Sequence, residues 1–139
     1  MVRCAALVLA GGSGSRFGGE TPKQYLSVGG KSVLRWAVEA FTTNTLLDGV
    51  RVVIHPDDRE LYNVAVEGLE LMEPVEGGRN RQKSVANGLE SLTEIDPRRV
   101  LIHDGVRPFV ASELINRILK ALDKASGAVP ALPVVDTLK

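Results

Sequence analysis

One cysteine, Cys4, is too few for an internal disulfide framework or a multi-cysteine zinc site. Its place inside an apolar run marks it as a small core residue, and such sparing use of cysteine suits a reducing compartment. Net charge is missing as well. The 17 Lys and Arg residues balance 17 Asp and Glu, so bulk charge does not draw the chain to nucleic acid or anionic lipid, although a local basic cluster is still open to it. Long apolar runs are absent: residues 2–10 are too short to span a membrane and are broken at once by Gly11. No signal-peptide cleavage segment follows, and the expected location is the cytoplasm. No repeat, heptad, low-complexity tract or Pro/Gly/Ser linker divides the sequence. What is present, 139 residues at 44% hydrophobic and 24% charged, fits one soluble domain. A domain of this size buries roughly 68% of its unfolded surface, enough for a real core.

Strand-length apolar runs alternate with segments of helical period. Cys4–Ala10 reads as a buried strand, apolar on both faces as in the centre of a parallel sheet. Val33, Trp36, Ala37, Ala40 and Phe41 recur at helical spacing, with Ser32 as a cap. A second strand is expected over 50–54 and a helix over 57–66, opened by Asp57 and Asp58 where the helix dipole favours negative charge. A weaker strand over 71–75 contains Pro74. Val85, Leu89 and Leu92 mark the next helix, with Gly88 a soft spot in it. A fourth strand covers 100–103, and Ser112 is expected to cap a helix carrying Leu114, Ile115, Ile118, Leu119 and Leu122. A fifth strand is expected over 127–135 despite its prolines. The alternation implies an α/β layered, Rossmann-like fold with a mainly parallel sheet. Ligands in such sheets bind beyond the carboxyl ends of the strands.

The residues after the first strand, Ala10-Gly11-Gly12-Ser13-Gly14-Ser15-Arg16-Phe17-Gly18-Gly19, let a backbone approach an anion closely. The phosphate loop of nucleoside triphosphatases fails here, because Gly19 is followed by Glu20 in place of lysine. The dinucleotide fingerprint starting at Gly12 and Gly14 fails too, since Phe17 stands where its third glycine belongs. What is left is a glycine loop with two cations, Arg16 and Lys23, matched to a triphosphate that needs backbone donors and neutralised charge. A flexible surface turn with both cations merely solvated is the plain alternative.

The segment from Leu9 to Arg16, followed by Pro22-Lys23-Gln24-Tyr25, resembles the signature of sugar nucleotidyltransferases, and in its Pro-Lys-Gln-Tyr form the 2-C-methyl-D-erythritol 4-phosphate cytidylyltransferases. Gly11 stands where that family usually has alanine. By this resemblance Arg16 and Lys23 hold the triphosphate and stabilise the pentacoordinate phosphorus, and Ala10, Gly11, Gly12 and Gly14 line the nucleotide.

Three later segments extend the resemblance. Gly77-Gly78-Arg79-Asn80-Arg81-Gln82-Lys83-Ser84-Val85 alone reads as a strand-to-helix turn, with Ser84 a capping or surface residue. It is similar to the family's cytosine-selecting segment, which implies that Gly78 and Ser84 contact the base while Arg81 supports the loop. Arg79 departs from the acidic residue common there. His103-Asp104-Gly105-Val106-Arg107-Pro108 ends a strand, where a carboxylate can hold Mg²⁺ or a hydroxyl and Arg107 can pair with it. His103 reads as a packed strand-end residue. The resemblance implies that Asp104 lies near the metal and the acceptor, Gly105 near the ribose, and that Arg107 orders the loop. Pro133-Val134-Val135-Asp136-Thr137-Leu138-Lys139 resembles the family's acceptor-site segment, with Thr137 at the sugar phosphate.

The resemblance implies cytidylyl transfer from CTP to 2-C-methyl-D-erythritol 4-phosphate with Mg²⁺ by a homodimer, in a family some of whose members are fused to a cyclodiphosphate synthase. Residues 1–139 are then expected to be a CTP-binding domain stopping before the dimer arm. The alternatives are ribitol 5-phosphate as acceptor and a catalytically silent CTP-binding module; a NAD-dependent dehydrogenase is weaker.

Overall fold

The computed structural model describes residues 3–12 and 20–137. Its centre is a four-stranded sheet in the order β5-β4-β1-β6, built from β1 (Cys4–Ala10), β4 (Gly49–Ile54), β5 (Val75–Glu76) and β6 (Arg99–Asp104). Every pairing is parallel, and Val8 faces Val52 on one side and His103 on the other. With strands on both flanks and helices on both faces, β1 is buried along its whole length. That is the environment its unbroken apolar run requires.

Alternate β1 side chains feed two cores. Ala6, Val8 and Ala10 pack with Leu34, Val38 and Phe41 of α1 (Val33–Thr42), Tyr62 and Ala65 of α2 (Arg59–Ala65), and Ile115 and Leu119 of α4 (Ser112–Ala121). Ala5, Leu7 and Leu9 pack on the other face, with Leu92 and Val85 beside α3 (Arg81–Ser91). The period of 2 in the strand meets the period of 3.6 in the helices, so each face is sealed by its own layer.

Local signals set several helix starts. Ser32 accepts from the Arg35 N–H at 3.1 Å and caps α1 as expected. Asn80 does the same for α3, accepting from the Lys83 N–H at 2.8 Å. The cap of α4 is Ala111, a correction: Ser112 is already helical, and its hydroxyl accepts from Asn44 Nδ2 at 3.3 Å. Between β2 (Ser27–Val28) and β3 (Lys31–Ser32) the chain reverses through Gly29 at φ +59° and Gly30 at φ +84°. Two positive φ angles in succession are what a two-residue hairpin of matching twist demands, and glycine supplies them without strain.

Two expected strands differ. The strand placed at 71–75 is confined to Val75–Glu76, although Met72 N–H still donates to Val50 O at 3.0 Å. Pro74 offers no N–H, so the ladder cannot run through it. The strand expected over 127–135 is irregular chain, with Val129, Leu132 and Val135 at 85%, 90% and 92% exposure. Pro130 and Pro133 remove ladder donors, and apolar content alone misled the reading.

Candidate active site at the carboxyl ends of the strands

Three loops converge where β1, β5 and β6 end. Gln24 organises the first. It sits in a 3-10 turn (Lys23–Tyr25), is 2% exposed, and donates from Nε2 to Ala10 O at 2.9 Å and to Gly12 O at 2.8 Å. A buried amide that satisfies two carbonyls on the far side of the glycine loop ties both ends of that loop together. Lys23 adjoins it in sequence and is held in the same turn. Gly14 and Arg16 lie outside the described residues. The sequence reading quoted Gln24 only within a motif and missed its anchoring role, because nothing in the sequence marks one glutamine as buried.

The second loop joins β5 to α3. Gly77 N–H donates to Ile54 O at 2.8 Å, which docks the loop onto the end of β4. Ser84 is 5% exposed. Its hydroxyl accepts from the Gly78 N–H and donates to Asn80 O, each at 3.0 Å. It is therefore neither the cap nor a surface residue; it fastens the glycine pair to the first turn of α3. One lone pair of Oγ is left over. A Cβ on Gly77 would stand 2.8 Å from that oxygen, and one on Gly11 3.5 Å from it. Gly11, Gly77 and Ser84 thus form one small-residue floor, with Gly78 at its rim.

The third loop follows β6. Asp104 Oδ1 accepts from Arg81 Nη2 at 3.1 Å, and Oδ2 accepts from Arg107 Nε at 3.3 Å. The side chain of Asp104 is 32% exposed, and both arginines are more open still. Exposed pairs of this kind stabilise little, roughly 0–1 kcal/mol each. Their effect is on position: one carboxylate at the end of β6 links the first turn of α3 to the loop that follows β6. Behind it, Gly105 N–H donates to Leu9 O at 2.8 Å. His103 packs on Phe41 with ring centroids 5.0 Å apart, and its Nε2 lies 2.9 Å from Arg107 O. That matches a packed strand-end histidine.

The sequence-predicted residues thus fall into one cluster of Ala10, Gly11, Gly12, Lys23, Gly78, Arg81, Ser84, Asp104, Gly105 and Arg107. Thr137 is apart. It is exposed in the irregular segment after α4, and among the described residues it makes no hydrogen bond to the cluster. Asn80 was overlooked, although an Asn three residues before a polar helical turn is a readable capping signal.

The donor set also bears on a cation. Among the described residues no group of three His, Cys, Asp or Glu side chains gathers. A divalent ion caged wholly by protein does not fit these residues. Mg²⁺ carried on phosphate oxygens and touching one carboxylate does fit, since Mg²⁺ keeps water and phosphate as most of its ligands. Among the described residues no helix is long and apolar enough to cross a membrane.

The fold agrees with comparisons to known proteins. The bifunctional enzyme IspD/IspF of Paramagnetospirillum magneticum is 53% identical over 139 residues, covering 100% of this chain and 36% of that protein. The enzyme of the same name from Rhodospirillum rubrum is 51% identical, again over 100% of this chain and 36% of its own length. The chain therefore spans about a third of the curated relatives it matches. Among solved structures, a 4-diphosphocytidyl-2C-methyl-D-erythritol synthase superposes with a TM-score of 0.79 at 29% identity, covering 100% of this chain and 63% of that one. The bifunctional IspDF of Campylobacter jejuni superposes with a TM-score of 0.80 at 26% identity, over 99% and 35%. Residues 4–139 match the family described as IspD, 2-C-methyl-D-erythritol 4-phosphate cytidylyltransferase, and the chain belongs to it.

Proposed function

We propose that the chain forms the CTP-binding part of an enzyme that makes 4-diphosphocytidyl-2-C-methyl-D-erythritol and pyrophosphate from CTP and 2-C-methyl-D-erythritol 4-phosphate. The observation that carries this reading is the convergence of the Gln24-tied glycine loop, the Ser84–Gly78 turn and the Asp104 arginine clamp at one end of the sheet, in a member of this family.

In the proposed reaction an oxygen of the acceptor phosphate attacks the α-phosphorus of CTP. A new P–O bond forms in line as the bond to the bridging oxygen breaks, and pyrophosphate leaves with that electron pair. The attacking phosphate is already anionic near neutrality, so no protein nucleophile or base is needed. The work of the protein is position and charge. The backbone of Ala10, Gly11, Gly12 and Gly14 borders the triphosphate, and Arg16 and Lys23 neutralise charge on it. Gly78 and the remaining lone pair of Ser84 Oγ read the cytosine edge, Gly105 borders the ribose, and Asp104 and Thr137 face the acceptor. Arg81 and Arg107 keep Asp104 in place. Bound Mg²⁺ would supply charge neutralisation on the phosphate oxygens, with Asp104 as the residue that holds it. We place this enzyme in the cytoplasm as a homodimer. A link to a cyclodiphosphate synthase domain is supported by the names of its bifunctional relatives.

The test is pyrophosphate release with CTP and either acceptor, run beside calorimetric CTP titration. Turnover with methylerythritol phosphate, and far less with ribitol 5-phosphate, is expected. The reverse preference would reassign the acceptor, and CTP binding without release would leave only a nucleotide-binding module. Lys23→Ala is expected to lower kcat by about 10²–10³-fold with little change in CTP affinity; unchanged turnover would remove Lys23 from the chemistry.

A further inference from the structure

Among the described residues, two buried polar atoms near the site have no hydrogen-bond partner. Asp58 is 8% exposed and Tyr25 half-buried, and neither the Asp58 Oδ2 nor the buried Tyr25 hydroxyl makes a hydrogen bond among the described residues. Buried polar atoms are almost always satisfied, and these are complementary, one a donor and the other an acceptor. They also lie on neighbouring elements. The Lys23–Tyr25 turn packs on α2, which continues directly from the 3-10 turn Pro56–Asp58. Burial raises the Tyr25 phenol well above its ordinary value, with the nearby Asp58 charge adding to it and Tyr62 after that. Burial likewise raises the Asp58 carboxyl; His55 opposes this and Asp57 adds to it. The charged and titratable groups acting on the pair are thus His55 and Asp57 on Asp58 and Tyr62 on Tyr25, while Arg59 and Glu73 act on Tyr62.

Tyr25 is two residues from Lys23 and adjacent to Gln24, whose amide holds the glycine loop. Whatever fixes the Tyr25 ring therefore fixes the base of the Lys23 side chain.

We propose that Tyr25 and Asp58 act as one buried unit, the phenol donating to the Asp58 carboxyl through a single bridging water, and that this unit positions the Lys23 turn against the crossover that follows β4. Neither residue touches substrate; both are positioning residues. The kinetic part of the inference rests on the proposed role of Lys23, whereas the pairing itself does not.

The experiment is a double-mutant cycle in the natural full-length polypeptide, read by urea unfolding and by steady-state kinetics. Tyr25→Phe and Asp58→Leu are each expected to lower kcat by about tenfold or more, with KM for CTP nearly unchanged, because a small misplacement of a charge-bearing turn costs transition-state contact more than ground-state binding. Combining them is expected to lose no more than the worse single change, in turnover and in stability alike. Asp58→Asn keeps an accepting oxygen and is expected to restore most of the turnover that Asp58→Leu loses. Additive losses in unfolding would overturn the pair whatever the enzyme does. Coupled stability with full kcat, in an enzyme that Lys23→Ala disables, would overturn the positioning role. Full turnover in Lys23→Ala would overturn the functional reading and the kinetic part with it, while the unfolding cycle still decides the pair.

Discussion

Gln24 shows how much one side chain decides at this site. Replacing it with Glu keeps the shape but turns two donated hydrogen bonds into a carboxylate facing the carbonyls of Ala10 and Gly12. Leaving such groups unpaired costs about 1–3 kcal/mol, and more with a charge, so Gln24→Glu is expected to unfold at clearly lower urea and to bind CTP weakly. Two glycines divide in the same physical way. A methyl on Gly11 meets Ser84 Oγ at 3.5 Å, an ordinary contact, and Gly11→Ala is expected to leave stability within about 0.5 kcal/mol. A methyl on Gly105 meets the Leu9 carbonyl at 2.9 Å, and there the backbone has to move. Gly11 and Gly105 were legible as candidate site residues from their motifs. Gln24 as an anchor was not, because burial of a polar side chain is settled by tertiary packing and leaves no periodic trace. Asp58 was read only as a helix-opening charge, for the same reason.

At the scale of elements, α3 lies close on the sheet. A methyl on Gly88 would stand 3.0 Å from both Leu7 Cδ1 and Val53 Cγ2. Alanine improves helix propensity by about 1 kcal/mol, while overpacking a tight contact costs about 1–3 kcal/mol. The clash wins, and Gly88→Ala is expected to lower the midpoint of thermal unfolding. What reads in sequence as a soft spot is the point of closest approach between helix and sheet. The sign of pH dependence separates two other elements. Glu39 on α1 is held below its ordinary 4.5, first by the hydrogen bond from Lys31; burial opposes this, and Arg35 adds to it. Its unfolded form binds the proton more tightly, so its stabilisation is full above the unfolded value and is lost as pH falls through the lower folded one. Glu39→Gln is expected to be less stable than the parent at pH 7, with the gap closing in acid below about 4.5. Asp58 has the opposite sign. Its carboxyl is raised by burial above 3.8, so the folded form binds the proton more tightly, and that stabilisation fades as pH rises through the folded value. Asp58→Asn is therefore expected to be at least as stable as the parent at pH 7, and that advantage disappears in acid. Strand prediction failed where proline intervened, at Pro74 and across 127–135, since apolar composition says nothing about ladder donors.

For the whole molecule, the fold class and the position of the site were readable together. A buried β1 run demands a parallel sheet, and a parallel sheet gathers its loops at one end. The glycine loop, the Gly78–Ser84 turn and Asp104 all follow strands, so topology alone assembles them. The Arg107–Asp104 pair was readable from adjacency, but the fastening by Gln24 and by Arg81 was not, because those bonds span 12 and 23 residues, and the local Ser84–Gly78 bond leaves no periodic trace. The central claim is that CTP lies across this fastened end of the sheet. A crystal structure with CTP bound tests it most directly. Cytosine against Gly78 and Ser84, with the triphosphate running past Gly11 and Gly12 toward Lys23, is the predicted result. Nucleotide density lodged elsewhere, such as the cavity among Arg3, Arg99 and Lys120 at the opposite end of the strands, would contradict it.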